Sequence, residues 1–242
     1  MVNLMHVVSS LALRFPRLNE LRTCICNPKN PNAFFQNFDQ SLRDCPQKLK
    51  QFSQLEAILE TLDDDAWKDL KTEAVPYLTQ RHPTRGWEQL LNILNQANGY
   101  NYLKQQGCSD VHFIARVPNK KTPDLRAHDG TSLVLCEVKT LNISKNEADR
   151  RTSGGVGTTV LRLPQGVFDK LQSDIDIAID QMRNYDSTGK AKMIFYCVVN
   201  FDDHLHECAN NYHRQLDDYV KANVDPSLKV VFDIKPPFYS AV

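Results

Sequence analysis

No stretch of this chain approaches the ~18 consecutive apolar residues that a membrane-spanning helix needs, so a helical span is excluded and no membrane partner is expected. Long Gly/Ser and Gln/Asn tracts are missing as well. At 41% hydrophobic and 24% charged, the 242 residues read as an ordinary globular protein. That length holds one sizeable core, or one domain with a helical extension. There is no excess of either charge: 29 Lys+Arg balance 29 Asp+Glu. The broad basic field of a small nucleic-acid binder is therefore absent, and any such attraction must be local. Zinc-site spacing is lacking too. Cys24-Ile25-Cys26 is the one close cysteine pair, and no second pair or His-x3-His completes a site. His204 and His206 stand two apart and would not share a helix face. Seven scattered cysteines, an odd number, point to reduced thiols used for packing in a cytoplasmic protein. Met1–Phe15 has no basic leader and is broken by His6, Ser9 and Ser10, so it does not read as a signal peptide; an amphipathic transit segment is the weaker reading.

Residues 1–80 read as helical. Leu4, Val7, Val8 and Leu11 have helical spacing, with Pro16 limiting that segment. Residues 27–32 read as a loop. Phe34, Phe35 and Phe38 begin a further helix, and Leu49, Phe52, Leu55, Leu59 and Leu62 form an apolar stripe. Asp63-Asp64-Asp65 suits a helix N-terminus, where negative charge meets the positive end of the dipole. Nothing here has catalytic spacing, so this region reads as a cap or a partner-binding surface.

From Arg85 the pattern changes. Trp87, Leu90, Leu91, Leu94 and Ala97 form one helical stripe, ended at Gly107. A short β-type run, Val111–Val117, follows. Residues 142–162 lack core periodicity and read as a mobile loop carrying Lys145, Arg150, Arg151 and Arg162. Phe168, Leu171, Ile175, Ala178, Met182 and Tyr185 advance by 3, 4, 3, 4 and 3, which predicts an amphipathic helix with Pro164 near its start. A buried strand over Lys192–Phe201, a helix from Leu205 and a last strand over Lys229–Ile234 complete the chain. The expected order from Trp87 is helix, three strands, helix, strand, helix, strand: an α/β fold with no internal repeat.

The centre of that order is the stretch from Thr122 to Leu141. Asp129-Gly130 between two apolar runs is a strong hairpin signal. The second run carries Glu137 and Lys139, two apart and so on one face of a strand. The hairpin folds Asp124 back toward Glu137. Two carboxylates and an ammonium would then converge at the end of a hydrophobic sheet. A divalent cation is the usual compensation for two facing carboxylates. Around this point lies the local positive charge: nine Lys/Arg against five Asp/Glu between Ile114 and Arg162.

Pro123-Asp124 followed by Glu137-Val138-Lys139 resembles the signature of the PD-(D/E)xK nuclease superfamily, the restriction-endonuclease-like fold, over residues 85–235. Two other D/E-x-K triplets occur, at Asp69-Leu70-Lys71 and Asp233-Ile234-Lys235, but only the one at 137–139 follows a Pro-Asp across a hairpin. Gln181 and Tyr185 match the Gln-x3-Tyr feature of RecB-type and lambda-exonuclease-like members. The 21-residue loop before their helix is a departure, setting Gln181 42 residues after Lys139. The resemblance implies a magnesium (or manganese) site built from Asp124, Glu137 and the Val138 carbonyl, with Glu88 as a further acidic ligand. Lys139 would orient the attacking water, and Gln181 and Tyr185 would position the scissile backbone. Lys120, Lys121, Arg126, Lys145, Arg150 and Arg151 are the expected phosphate contacts.

The expected function is thus metal-dependent hydrolysis of DNA, leaving a 5′-phosphate and a 3′-hydroxyl, with internal cutting preferred over cutting from an end. A homodimer or larger complex through the N-terminal helices is a further expectation. The rivals are an inactive nuclease-like binding module, an RNA-cutting enzyme on the same fold, and a helical interaction factor in which the motif is accidental. Residue by residue, Glu137 and Lys139 have the alternative of a plain strand-face ion pair. Asp124 has that of a turn-former, and Glu88 that of a solvated first-turn acid.

Overall fold

The computed structural model describes residues 14–25, 30, 33–83, 85–117, 120–142, 161–200 and 205–234. Two compact units divide the chain, one up to Ala97 and the other from Asn98. The sequence expectation began the second unit at 85, one helix earlier.

In the first unit the helices are α1 (Pro16–Thr23), α2 (Phe38–Asp44), α3 (Pro46–Leu59), α4 (Asp64–Ala74) and α5 (Glu88–Leu94), with a 3₁₀ turn at Val75–Thr79 between the last two. Pro16 occupies the first turn of α1, where a missing N–H goes unnoticed and a fixed φ suits the helix; the segment before it, residues 4–11, lies outside the described residues. Phe38 packs edge-to-face on Phe35 and Phe52 at 5.2 and 4.8 Å between centroids. The Asp63 carboxylate caps α4 by accepting from the Ala66 N–H at 2.9 Å. Glu56, buried on α3, accepts from the Arg17 and Leu18 N–H groups at 2.6 and 2.9 Å, at the start of α1.

The single stripe from Trp87 to Ala97 is broken at Asn95 into α5 and α6 (Gln96–Gln105). Gly107 ends α6 with φ +79°, as a C-terminal glycine should. The sheet then forms from β1 (Ser109–Phe113), β2 (Leu125–Asp129), β3 (Ser132–Asn142), β4 (Lys192–Asn200) and β5 (Leu228–Ile234), in that spatial order. β1–β2 and β2–β3 are antiparallel; β3–β4 and β4–β5 are parallel. Connecting the parallel strands are α7 (Gln165–Tyr185) and α8 (Leu205–Asn223). The architecture is therefore α/β, a five-stranded mixed open sheet with helices, in the expected element order.

The first strand lies earlier than the β-type run at 111–117, because its partner β2 pairs no further than Leu125 with Phe113 and hands over to one bond, Ile114 N–H to the Asp124 carbonyl at 2.9 Å. Between β2 and β3 the turn is two residues long, Gly130-Thr131, with Gly130 at φ +60°. This is the type II′ geometry that suits the right-handed twist of strands.

α7 and α8 cover one face of the sheet. Leu171, Ile175, Ala178 and Met182 of α7 and Tyr212 and Leu216 of α8 bury against Leu135, Leu141, Phe195, Cys197, Val199 and Phe232. α6 covers the other face at close range: a Cβ on Gly99 would lie 2.5 Å from Val138 Cγ2 and 3.1 Å from Leu125 Cδ1. That contact distance explains a glycine in the middle of a helix, where it is otherwise unfavourable by about 1 kcal/mol.

Candidate active site

β3 alternates its side chains between two helical layers. Cys136 and Val138 face α6; Leu135, Glu137, Lys139 and Leu141 face the α7 side. Two charged residues thus interrupt an apolar row. Cys136, on the opposite face from Glu137, is a buried packing thiol, and burial pushes its pKa well up.

The site forms where β2 stops and β3 continues. The last pair of the β2–β3 ladder is Leu125 with Cys136. Two residues on, the Val138 N–H points to the side where β2 has ended. The Asp124 carboxylate takes the missing acceptor's place, with Oδ2 receiving that N–H at 2.8 Å. A residue's N–H and C=O leave a strand on the same side, so the Val138 carbonyl faces the same gap. In return, the Asp124 N–H donates to Glu137 Oε2 at 3.2 Å, and the two carboxyl groups lie within each other's field. Lys139 Nζ donates to Glu137 Oε1. Asp124, Glu137, Lys139 and the backbone of Val138 therefore meet at one point.

Two braces hold the Thr122–Asp124 segment there. One is the Ile114–Asp124 backbone bond from β1. The other is Gln181 of α7, whose Nε2 donates to the Thr122 carbonyl at 2.9 Å. With 9% of its surface exposed, Gln181 is built into the site from below. Tyr185, one turn further, is 38% exposed and shares the helix face of Gln181.

The electrostatics are those of a buried pair of acids. Glu137 is 1% exposed; burial first, then the facing Asp124 carboxylate, push its pKa up to about 8, against the pull of Lys139. Asp124 is also raised by burial, opposed by Lys139, the Val138 N–H and Arg116. Burial works to lower Lys139, yet the Glu137 and Asp124 carboxylates outweigh it, and its pKa ends above the ordinary lysine value. Burial outweighs the cations that act here, Lys139 and Arg116, and leaves both carboxyls raised. The oxygen-only donor set of two carboxyls and a carbonyl suits a hard cation such as magnesium or manganese.

Among the described residues no group of three or more His, Cys, Asp or Glu side chains comes together as a ligand set. The acidic cluster here is a pair. Glu88 belongs to the first unit, in the first turn of α5, with Oε2 3.6 Å from Arg85 Nη1. Lys120, Lys121 and Arg126 are exposed. Arg126 pairs with Leu135 across the ladder and so projects from the same face of the sheet as Glu137. Lys145, Arg150 and Arg151 lie outside the described residues.

Two further charged residues were not singled out from the sequence. Arg116, just after β1, acts on Asp124. Asp174, on α7, is only 4% exposed and is bonded to Lys170. Its position in Leu171–Ala178, between apolar residues of a helix stripe, was the available signal; a chain of acidic residues at 174, 176 and 180 hid it.

No helix among the described residues is long and apolar enough to cross a membrane. Compared with known protein families, curated proteins and solved structures, the chain matches none.

Proposed function

We propose that the protein is a metal-dependent nuclease on a restriction-endonuclease-like core, hydrolysing phosphodiester bonds in DNA. The observation that carries this reading is the meeting of Asp124, Glu137 and Lys139 where β2 ends and β3 runs on. Burying two facing carboxyls costs several kcal/mol, and their raised pKa values show that the partners around them leave part of that cost standing. A chain that kept them only for packing would do better with apolar residues.

In this reading Asp124, Glu137 and the Val138 carbonyl hold the magnesium or manganese ion. When bound, the ion supplies Lewis-acid polarisation of a phosphodiester oxygen. Asp124 and Glu137 give up any shared proton to bind it, so their affinity for the ion rises with pH. Lys139, 30% exposed at its side chain, has access to solvent while anchored on Glu137. It orients the attacking water and donates to phosphate oxygens as charge grows there. Gln181 acts through the Thr122 carbonyl, fixing the turn that delivers Asp124 rather than touching the scissile strand. Exposed Arg126, Lys120 and Lys121 lie near the site in sequence and contact phosphates without reading bases.

The deciding experiment is incubation of the full chain with linear, circular and single-stranded DNA and with RNA, with magnesium, manganese or a chelator. Cleavage that needs the metal and vanishes in Asp124→Ala supports the assignment. Metal-independent cleavage, or none with any substrate, overturns it; preference for RNA would correct the substrate and keep the site.

A further inference from the structure

The two edges of the sheet are finished differently. β1 has five residues, a break in register between Ser109 and His112, and Asp110 in the left-handed region at φ +49°. Short length and a bulge are common ways to keep an edge from pairing with another chain. β5 has neither. It runs seven residues, Leu228–Ile234, without a proline, and matches β4 one for one from Met193 to Val199. Among the described residues no strand pairs with its outer edge. The N–H and C=O groups along such an edge are a template for a further strand.

Which strand fits is written in β5 itself, because Leu-Lys-Val-Val-Phe-Asp-Ile is balanced about Val231. A two-fold axis at Val231 brings up an antiparallel copy of the same strand. Val231 then lies opposite itself, Val230 opposite Phe232, Lys229 opposite Asp233 and Leu228 opposite Ile234. Apolar residues meet apolar ones, and each charge meets its opposite, twice over. Residues directly opposed share a face of the sheet, with Cβ atoms about 5 Å apart.

Both charged side chains project to one face. Val231 pairs with Tyr196, and Tyr196 with Val138, which faces α6; Lys229 and Asp233 stand two residues to either side. Lys229 Nζ donates to Gln106 Oε1 at 3.1 Å and lies 5.3 Å from the centre of the Tyr102 ring of α6. Asp233 Oδ2 accepts from the Tyr196 hydroxyl at 2.9 Å. An ammonium has three donors and a carboxylate two oxygens, so a cross-strand ion pair adds to these bonds rather than replacing them. Val230, Val231 and Ile234 are only half-buried in a single copy.

We propose that β5 is a self-pairing edge, through which two copies of this chain join antiparallel into one continuous sheet with five strands from each. The contact is isologous, so it closes at two copies. It is separate from the N-terminal helices and does not depend on the nuclease reading.

The test is sedimentation equilibrium of the full chain at low salt, up to the highest soluble concentration. It compares wild type, Lys229→Glu, Asp233→Lys and an equimolar mixture of the two variants. Wild type sediments as a dimer. Each reversal turns two opposite-charge pairs into two like-charge pairs and weakens the dimer by about 30-fold. The mixture recovers it as a heterodimer, since one reversed position faces the other and the remaining pair is native. Circular dichroism checks that the variants are folded. Val231→Cys leaves both charges in place, and oxidation joins two copies through the new thiols, a bond the wild type does not form. A monomeric wild type overturns the proposal and leaves the edge to a foreign strand. A dimer that neither reversal weakens, or a head-to-tail oligomer larger than two, overturns it as well. So does a mixture of folded variants that stays monomeric. Should the reversals unfold the chain, the Val231→Cys link decides, and its absence counts against the pairing.

Discussion

Among the described residues each unit buries one glutamate almost completely, Glu56 in the first and Glu137 in the second, and the two are treated differently. Both have their proton affinity raised chiefly by burial. Glu56 faces fixed donors: two backbone N–H groups at the start of α1, at 2.6 and 2.9 Å, where the helix dipole also favours negative charge. Its needs are met inside the fold. Glu137 faces another acid, and its one cation is shared with that acid. A buried carboxylate answered by backbone is a fastening. One answered by a second carboxylate leaves room for a cation from outside. Burial alone does not distinguish them; the partners do.

The largest expected difference between the two is in cleavage. Asp124→Ala and Lys139→Ala should each lower magnesium-dependent cleavage by about 10³-fold or more, as removal of charge stabilisation at a reacting phosphate does. Glu56→Gln should leave kcat within about twofold. Circular dichroism checks that all three are folded, and an inactive Glu56→Gln that is still folded would break the comparison.

Stability should invert that order. Glu56→Ala strips one buried and one part-buried N–H group of their acceptor, which costs about 2–3 kcal/mol and is read in denaturant unfolding. Glu137→Gln at pH 8 should cost less than this, or stabilise, because it removes a charge whose ionisation the fold opposes.

The pH dependence sharpens the contrast. An acid whose folded pKa lies above its unfolded one favours the folded state while protonated. For Glu137 that stability is complete below the unfolded value of 4.5 and is lost as pH rises to about 8. The slope in that window approaches ~1.4 kcal/mol per pH unit for each proton. Unfolding midpoints of the metal-free protein should therefore fall from pH 5 to 8. Glu137→Gln should flatten the curve, leaving the part due to Glu56 and Asp124. A wild-type curve that rises across the window would contradict the paired-acid description.

Magnesium should act on one glutamate only. At pH 8 and 100 times its Kd it should stabilise the wild-type chain and Glu56→Gln by about 2.7 kcal/mol. Glu137→Gln should lose most of that shift. Smallest is the effect of Arg126→Ala, expected to reduce the salt slope of DNA binding by about one unit without changing kcat.

Much of the second unit was legible in the sequence, because its elements have clean periods. The alternation around Asp129-Gly130 gave the hairpin, and the 3–4 spacing from Phe168 gave α7. The convergence of Asp124 with Glu137 followed from the hairpin and the two-residue period of a strand. Less legible was anything set by contact. The apolar stripe runs through Asn95 without losing phase, so nothing local marks the break between α5 and α6. Gln181 was visible as a motif residue, but its bond to the Thr122 carbonyl spans 59 residues and no pattern carries it. Asp174 sits among exposed acids of the same helix, and only its burial sets it apart.

The tight hairpin of Gly130 and Thr131 has a consequence for how this chain can vary. Because Asp124 and Glu137 are counted off from the same bend along two arms, the length of the bend acts as a parity switch. One residue added to either arm between the bend and its acid turns that acid toward α6, away from its counterpart, and the cluster is dismantled without any of its members being replaced. Changes of two keep the orientation but slide the acids about 7 Å apart along the sheet. Length in this hairpin should therefore tolerate less alteration than the identity of most of the residues that compose it.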